Sequence, residues 1–445
     1  MTTPIKSAQV LNLNYLARAE RDPAALRRDF DAIVAYMKGS TAIHHGEYVR
    51  TCFSPKLLPA ADFDRLAADM QILYRIFEKV IDAYFADAGY RALFGFDTRT
   101  EDLILHARRS PSLVPMARID FFYNEATGSY TFCEFNTDGA SAMNEDRELH
   151  NAQRLSAAYR AFTARHRTRT CELFDSWVAT VRRLWQKAGG AGAPCVAIVD
   201  YLECGTVNEF EIFRRRFEAA GLDAVVCDVR ELRYDGRTLC APDGRRIDVV
   251  YRRAVTSDLL AHYAQSEALR LAARDGNVLL LGDFHTQIIH NKELFRVLQA
   301  PQTAAMLTAE ENAYLAAHLP GTAPYTPARK AELLADKDAW ILKPPDSYGS
   351  RGVHAGVEHT EEEWRAVVEA LPETGYLMQA FHTPYVTEDY GLDAAGTFGL
   401  NRYYNLTGLY IYDGVVQGVY SRVSLTPIIS SQYSEKTLAT TIVEG

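Results

Sequence analysis

The sequence has none of the features that mark several classes of protein. Lys and Arg number 48 against 57 Asp and Glu, which gives a formal net charge of −9 and no cationic surplus for a nucleic-acid backbone. The longest apolar runs, such as 276–282, are far shorter than the about 20 residues of a membrane span. The N-terminal segment lacks the charged-then-apolar order of a secretory signal. We therefore expect no nucleic-acid partner and no membrane partner.

Cysteine is scarce and forms no motif. The seven cysteines follow no Cys-x-x-Cys or other metal-binding spacing. An odd number without a pattern is typical of free thiols in a reducing compartment. The sequence therefore predicts a cytoplasmic protein.

Four stretches differ in hydrophobic pattern, and 445 residues are enough for two or three domains. Residues 1–100 show apolar residues at three- and four-residue steps, which predicts a mainly helical region. Residues 101–190 begin with a period of two around a Gly-containing turn, which predicts a hairpin, and continue as a long helix over 145–185, in which a break near Arg165 stays open. Residues 191–300 alternate short strands and helices, which is typical of a small parallel α/β domain. Residues 301–445 have a mixed α+β pattern.

The predicted hairpin brings acidic side chains onto one face. If the turn of RIDFFYNEATGSYTFCEFN centres on Thr127, Asp120 lies opposite Glu134. Arg118 then lies opposite Asn136 on the same face. Two carboxylates and a carboxamide suit a hard cation such as Mg²⁺, and an arginine beside them can hold a phosphate oxygen. A solvated face with an ordinary Arg–carboxylate pair is the alternative, and spacing alone leaves both open.

The opposite face of this hairpin is apolar. Its residues, which we expect to pack into a core, are Ile119, Phe121, Cys133 and Phe135.

A Gly-rich loop follows an apolar strand in AWILKPPDSYGSRGV. Lys343 ends the strand, and Gly349 and Gly352 follow in the loop. A lysine at a strand end can meet nucleotide phosphates, and a Ser/Gly loop can cover them with backbone N–H groups. The residue order is not that of a P-loop. A phosphate-covering loop and an ordinary turn both stay open. The later strand YLMQAF has backbone groups that could pair with an adenine edge.

Taken together, these segments resemble a known family. RxD, then ExN about a dozen residues later, then a C-terminal KPxxxxGSxGV loop resembles the circularly permuted ATP-grasp enzymes. The likeness is greatest to the synthetase domain of glutathionylspermidine synthase, and it covers most of the chain from about residue 100 onward. It implies a circularly permuted ATP-grasp fold of the α+β and α/β class, with a small parallel α/β domain and a helical N-terminal region. It places residues 101–190 in the catalytic core and makes residues 301–445 the nucleotide-binding part.

The resemblance implies roles for individual residues. The implied Mg²⁺ ligands are Asp120, Glu134 and Asn136. Arg118 would stabilise the transferring phosphoryl group, and Arg422 would return near the reaction centre. The residues implied to contact ATP are Lys292, Lys343, Gly349, Ser350, Gly352, Gln379, Ala380 and Phe381, the last three on the adenine side.

The substrate side is less defined. The segment TDGASAMNED replaces the Thr/Pro-rich stretch expected of the family. The resemblance therefore implies the reaction chemistry of the family for this sequence and does not imply its substrate. Asp138 and Ser141 in this segment are candidates for lining the acceptor site. Arg252 and Arg253 end a strand and could bind a substrate carboxylate, or could be surface charges.

The resemblance implies a reaction as well as a fold. It implies an ATP- and Mg²⁺-dependent ligase that joins a carboxylate to an amine through an acyl phosphate and releases ADP and phosphate. An amino acid or short peptide is the expected class for at least one substrate. Two alternatives stay open, an ATP-dependent kinase acting on a small molecule and a nucleotide-binding partner protein without turnover. A metal-dependent hydrolase would leave the Lys343 loop without a role.

Overall fold

The structure, a computed structural model, describes residues 7–44, 46–105, 110–347, 349–430 and 434–444. Tyr348, in the Gly-rich loop, lies outside these ranges. Within them, no helix has both the length and the apolar character required to cross a membrane.

Helices and strands alternate along the described chain and are numbered in chain order. The N-terminal region contains α1 (Ala8–Ala19), α2 (Pro23–Gly39), β1 (Ile43–His44), β2 (Glu47–Tyr48), β3 (Lys56–Pro59), α3 (Ala60–Ala86), α4 (Ala88–Arg91) and α5 (Thr98–Ile104). The next part contains β4 (Met116–Tyr123), β5 (Tyr130–Asn136), α6 (Met143–Gln153), α7 (Ala157–Thr163), β6 (Thr168–Arg169) and α8 (Phe174–Lys187). The central part contains β7 (Cys195–Asp200), α9 (Val207–Ala219), β8 (Asp223–Asp228), β9 (Arg233–Tyr234), β10 (Leu239–Cys240), β11 (Val249–Arg252), α10 (Thr256–Ala261), α11 (Glu267–Asp275) and β12 (Leu279–Leu281). The C-terminal part contains α12 (Gln287–His290), α13 (Glu293–Val297), α14 (Pro301–Met306), α15 (Ala309–His318), β13 (Thr322–Pro324), α16 (Lys330–Ala335), β14 (Trp340–Lys343), β15 (His354–Ala355), α17 (Glu361–Ala370), β16 (Leu377–Ala380), β17 (Val386–Leu392), β18 (Phe398–Tyr412), β19 (Val415–Ser424), β20 (Lys436–Leu438) and β21 (Thr440–Val443).

A six-stranded antiparallel sheet forms the centre of the fold. Its strands run β20–β19–β18–β4–β5, and β17 pairs with the first half of β18. Because side chains alternate along a strand, the two faces of β4 meet different cores. Ile119 packs with α3 on one face, whereas Met116 packs with Trp177 of α8 on the other. Arg118 and Asp120 project from this second face.

The predicted hairpin is present as β4 and β5, and its pairing at the acidic positions is confirmed. Arg118 lies opposite Asn136. Asp120 lies opposite Glu134. The four polar side chains are therefore neighbours in the folded chain.

The tip of the same hairpin departs from the simple register. A β-bulge after Asp120 pairs Phe121 with Phe132 and leaves Cys133 as the extra residue. Phe132 therefore packs into the core together with Phe135, and Cys133 faces the cavity described below. The expectation that Cys133 lies on the core face is wrong for this reason.

The helix expected over 145–185 is interrupted, because the chain breaks into α6, α7, β6 and α8. The break left open near Arg165 is present after α7, whereas the break before α7 was not expected. Ser156 begins α7, since its hydroxyl accepts the Tyr159 N–H at 3.1 Å. Glu172 stabilises the start of α8, since its carboxylate accepts hydrogen bonds from the backbone N–H groups of Phe174, Asp175 and Ser176. Between them, β6 pairs with β21, and β21 also pairs with β3.

The small parallel α/β region predicted for the centre of the chain is present. Its strands run β12–β11–β7–β8, all parallel, and α9 connects β7 to β8. Ligands bind preferentially at the carboxyl ends of such strands. Asp200 ends β7 and Arg253 follows β11, so both lie at that edge.

A four-stranded antiparallel sheet, β13–β16–β14–β15, carries Lys343 at the end of β14. Leu342 and Met378 of this sheet pack on Trp364 of α17. Thr360 and Glu363 form a capping box that fixes the start of α17. This small core holds the base of the Gly-rich loop in place.

Candidate active site

Two arginines hold one buried carboxylate at the centre of the site. Asp120, at 0% exposure, accepts hydrogen bonds from Arg118 Nε at 2.9 Å and Nη2 at 3.1 Å. Arg422 Nη2 donates to Asp120 Oδ2 at 2.5 Å. A Cβ on Gly408, directly opposite Asp120 on β18, would clash with Asp120 Oδ1, so glycine is needed there for this approach. Two guanidinium groups share this one carboxylate, and Arg422 Nη1 also lies 3.5 Å from Glu435 Oε2.

Glu134 and Asn136 lie beside this cluster on β5. Asn136 Nδ2 donates to Asp120 Oδ2 at 3.1 Å and to Glu134 Oε1 at 3.3 Å. Burial alone would raise the pKa of Glu134, but surrounding positive charges, chiefly Lys292 and Arg422, lower it to about 2. Glu134 is therefore ionised at neutral pH.

Two lysines converge on the same space. Lys343 Nζ donates to Gln379 Oε1 at 2.8 Å, and Lys292 Nζ donates to the Ser347 carbonyl at 2.6 Å. Both lysines are only 8% exposed, so neither Lys292 nor Lys343 is a surface residue. Burial lowers the pKa of Lys292, and the charge of Glu134 opposes that shift. Within the described residues, both ammonium groups donate to neutral oxygens, and Glu134 acts on Lys292 through its charge.

The loop after β14 has the backbone of a Gly-rich turn. Gly349, Ser350 and Gly352 have φ angles of 62°, 57° and 71°. Ser350 is a non-glycine residue in the left-handed region, a strained state found most often at ligand sites. Gly349 and Ser350 line the cavity, but Gly352 does not. A Cβ on Gly352 would lie 2.9 Å from Pro344 Cγ, so Gly352 shapes the loop.

The three residues expected on the adenine side, Gln379, Ala380 and Phe381, all line the cavity. However, β16 is not an open edge, because it pairs with β13 on one side and β14 on the other. The Ala380 N–H donates to the Gly321 carbonyl and the Phe381 N–H to the Ala339 carbonyl, both at 2.8 Å. These two N–H groups are therefore already paired within the chain, and the adenine-side role of the three residues stays a prediction.

These groups face one cavity of about 530 Å³. Several lining residues come from segments that the sequence analysis did not assign to the site, namely Arg50 beside the β1–β2 hairpin, Glu145 of α6, Asp200 of β7, Asp258 of α10 and Glu435. Burial raises the pKa of Glu145 and of Asp200 to about 7 each. The lining residues of opposite charge are called the cationic wall (Arg118, Arg422, Lys292 and Lys343) and the acidic wall (Glu145, Asp200, Asp258 and Glu435), and the two walls meet where Glu435 lies 3.5 Å from Arg422.

Arg252 does not bind a substrate from its position in the structure. It is 2% exposed and does not line the cavity, and its Nη1 lies 2.6 Å from Asp138 Oδ1. Asp138 does line the cavity, but its other oxygen accepts the Thr256 N–H at 2.8 Å. The expected contact of Arg252 with a substrate carboxylate is wrong, because this buried ion pair joins the acidic hairpin to the parallel sheet.

Arg253 and Ser141 do line the cavity. Arg253 Nη2 lies 3.0 Å from Glu209 Oε1. The Ser141 carbonyl accepts a hydrogen bond from Arg118 Nη1 at 3.1 Å. Both residues are therefore placed at the site, and a substrate role for either stays a prediction.

The donor set fits a magnesium ion shared with a nucleotide. Asp120, Glu134 and Asn136 offer hard oxygen ligands, and Glu134 and Asn136 are the more open because both oxygens of Asp120 already accept bonds from arginine. No group of three or more His, Cys, Asp or Glu side chains among the described residues could hold a metal alone. Mg²⁺ usually binds through one or two carboxylates together with water and substrate phosphates. Lysines and arginines line the same cavity.

Comparison with known proteins gives a likeness in structure and none in sequence. No family model and no curated protein matches the chain. A glutathione synthetase-like effector from Globodera pallida, in its apo form, superposes with a TM-score of 0.65 at 13% identity, over 96% of this chain and 99% of that chain. The chain has an ATP-grasp-like fold.

Two further structures align only in part with this ATP-grasp-like chain. A D-cycloserine synthetase gives a TM-score of 0.27 at 12% identity, over 56% of this chain and 91% of that chain. D-alanyl-alanine synthetase A from Vibrio cholerae gives 0.30 at 10% identity, over 56% and 88%. Scores this low do not show a shared fold.

Proposed function

We propose that the protein is an ATP-dependent carboxylate–amine ligase on a circularly permuted ATP-grasp fold, related in arrangement to glutathionylspermidine synthase. The observation that carries this proposal is the convergence of Arg118, Arg422, Lys292 and Lys343 on one cavity, beside carboxylate and carboxamide donors. Permutation is supported by chain order, since the acidic hairpin precedes Lys343.

The cationic wall suits transfer of a phosphoryl group to a carboxylate. Lys292 and Lys343 hold the phosphates of ATP. Arg118 and Arg422, kept in place by Asp120, offset the charge that builds on the transferring phosphoryl oxygens. When bound through the acidic hairpin, Mg²⁺ would neutralise further phosphate charge.

Amide formation then needs a second substrate and a dry site. The acyl phosphate is attacked by an amine, which forms a C–N bond and releases phosphate. Gly349 and Ser350, which line the cavity with left-handed backbone, would help to exclude water that would hydrolyse the intermediate. The acidic wall favours a nitrogen nucleophile over a neutral hydroxyl, which sets the ligase above a kinase. Amino acids or short peptides are the proposed substrate class.

The test is ADP release from ATP and Mg²⁺ against panels of amino acids, short peptides and polyamines. We expect ADP and phosphate only when an acid and an amine are both present. Lys343→Met should abolish release. Lys330→Met is the matched control, because Lys330 lies on α16 outside the cavity and faces Glu369 at 3.9 Å. A phosphorylated product formed without an amine would instead show a kinase.

A further inference from the structure

The structure points to Glu145 as the residue that binds the attacking amine and takes a proton from it, with Tyr420 holding its carboxylate in place. This inference rests on the proposed ligase function and adds a catalytic residue that the sequence patterns did not single out. It follows from the position of Glu145, from the turn that fixes it and from the charge around it.

Tyr420 places Glu145 next to the phosphoryl-binding arginines. The Tyr420 ring lies near both arginines, with its centroid 5.3 Å from Arg118 Cζ and 5.5 Å from Arg422 Cζ. Its hydroxyl donates to Glu145 Oε2 at 2.5 Å, and Thr437 Oγ1 reaches the same oxygen at 3.4 Å. Glu145 therefore lies one tyrosine side chain away from the groups that would hold the acyl phosphate.

A strained turn fixes the helix that carries Glu145. Ala142, which precedes α6, has a φ of 84°, and Gly139 has a φ of 69°. The Ser141 carbonyl between them accepts bonds from Arg118 Nη1 at 3.1 Å and from the Tyr410 hydroxyl at 2.7 Å. Strain of this kind persists where the surroundings over-determine it, commonly at functional sites. Arg118 thus fixes both the phosphoryl side and the start of α6.

The charge around Glu145 suits a proton acceptor. Burial raises the pKa of Glu145 to about 7, while the Tyr420 hydrogen bond opposes that rise. The charged and titratable groups that face Glu145 are Tyr420, Glu435, Glu209 and Arg118. A base works best when its pKa lies near the working pH.

The proposed step balances in atoms and charge. An amine reaches the site as an ammonium ion and gives one proton to the ionised Glu145 carboxylate. Its lone pair forms the bond to the acyl carbon, and the bond from that carbon to the phosphate oxygen breaks. The leaving phosphate takes the second proton from nitrogen. The products are the amide, hydrogen phosphate and protonated Glu145.

Hydroxylamine distinguishes a loss of proton removal by Glu145 from a loss of phosphoryl transfer to the acid. It is mostly uncharged at neutral pH, so it can trap an acyl phosphate as a hydroxamate without a protein base. Wild type and Glu145→Gln are given ATP, Mg²⁺, the acid panel and either hydroxylamine or the amine panel. We expect Glu145→Gln to form hydroxamate at the wild-type rate and to lose amide formation by about 100-fold or more.

Two further variants test whether the loss of amide formation in Glu145→Gln comes only from a change in the structure around α6. Glu148→Gln removes a carboxylate one turn along α6 that binds Tyr36 and Thr41 and does not line the cavity, so it should keep the wild-type ratio of amide to hydroxamate. Tyr420→Phe removes a hydrogen bond that lowers the pKa of Glu145, so the acidic limb of its amide-forming pH profile should move to higher pH.

Three results would overturn the inference. Glu145→Gln could lose both products equally, or it could keep both. Either result, in a wild-type enzyme that does make amide, refutes the role of Glu145 alone. A wild-type enzyme that makes neither product with any acid refutes the ligase function itself, and the inference with it.

Discussion

Replacing Asp120 by asparagine should destabilise the folded protein strongly, although the two side chains have nearly the same volume. Asp120 is fully buried and its carboxylate pairs with Arg118 and Arg422. An asparagine side chain keeps one acceptor oxygen and places an NH₂ group against a guanidinium. The two buried guanidinium groups then lose the carboxylate that pairs with both, although Arg422 keeps Glu435 at 3.5 Å.

The expected magnitude follows from the three charged hydrogen bonds to Asp120, at 2.9, 3.1 and 2.5 Å. Removing one partner of a buried ion pair costs about 3–5 kcal/mol. The same substitution made together with Arg422→Met should cost less than the sum of the two single changes. A coupling of at least about 1 kcal/mol is expected for groups in direct contact.

The assay is urea unfolding in the absence of ATP, with the slope against denaturant checked for constancy. Asp413→Asn is the control, because Asp413 also pairs with two cations, Arg183 and Lys187, each at 3.2 Å. Those cations are 44% and 50% exposed, so the control should cost only about 0–1 kcal/mol. If Asp120→Asn costs no more than the control, the central ion cluster is not as buried as described and the reasoning fails.

Three other perturbations follow from the same structure. Lys343→Met should weaken ATP binding about 10- to 100-fold, because a charged hydrogen bond to a phosphate is lost. Calorimetry with a non-hydrolysable ATP analogue measures this change in affinity. Gly139→Ala should lower the free energy of unfolding by about 1–3 kcal/mol, because its Cβ would lie 2.7 Å from the Arg253 carbonyl and 2.9 Å from Val255 Cγ1; wild-type stability would contradict this. Burial raises the pKa of Asp389 to about 6, so the folded state binds its proton more tightly than the unfolded chain does. Stability should therefore fall as the pH rises from about 4 to about 6, and urea unfolding should show that this decline is absent in Asp389→Asn.

The local parts of the site could be predicted from the sequence. A period of two and a central turn were enough to place Asp120 opposite Glu134, because pairing in a hairpin depends on neighbouring residues alone. The bulge at Cys133 could not be predicted, since no residue in it signals the extra position. The break before α7 did have a signal, a serine at position 156 in capping position, which the continuous apolar pattern outweighed.

The acidic wall could not be found in the sequence. Glu145, Asp200 and Glu435 belong to three distant segments and come to line one cavity only through the packing of the parallel sheet and the central sheet. The different environments of Arg252 and Arg253 could not be predicted from the sequence either. Adjacent strand-end arginines look equivalent in sequence, yet one is buried against Asp138 and the other reaches the cavity. The division of the chain near residues 100, 190 and 300 stays a prediction.

The most direct test of acyl-phosphate chemistry is the fate of carboxylate oxygen. The acid substrate found in the ADP-release screen is labelled with ¹⁸O in its carboxylate and incubated with ATP, Mg²⁺ and the amine, and the phosphorus products are examined by NMR. We predict ADP together with inorganic phosphate that carries one ¹⁸O atom. AMP with pyrophosphate, or phosphate without the label, would contradict the mechanism.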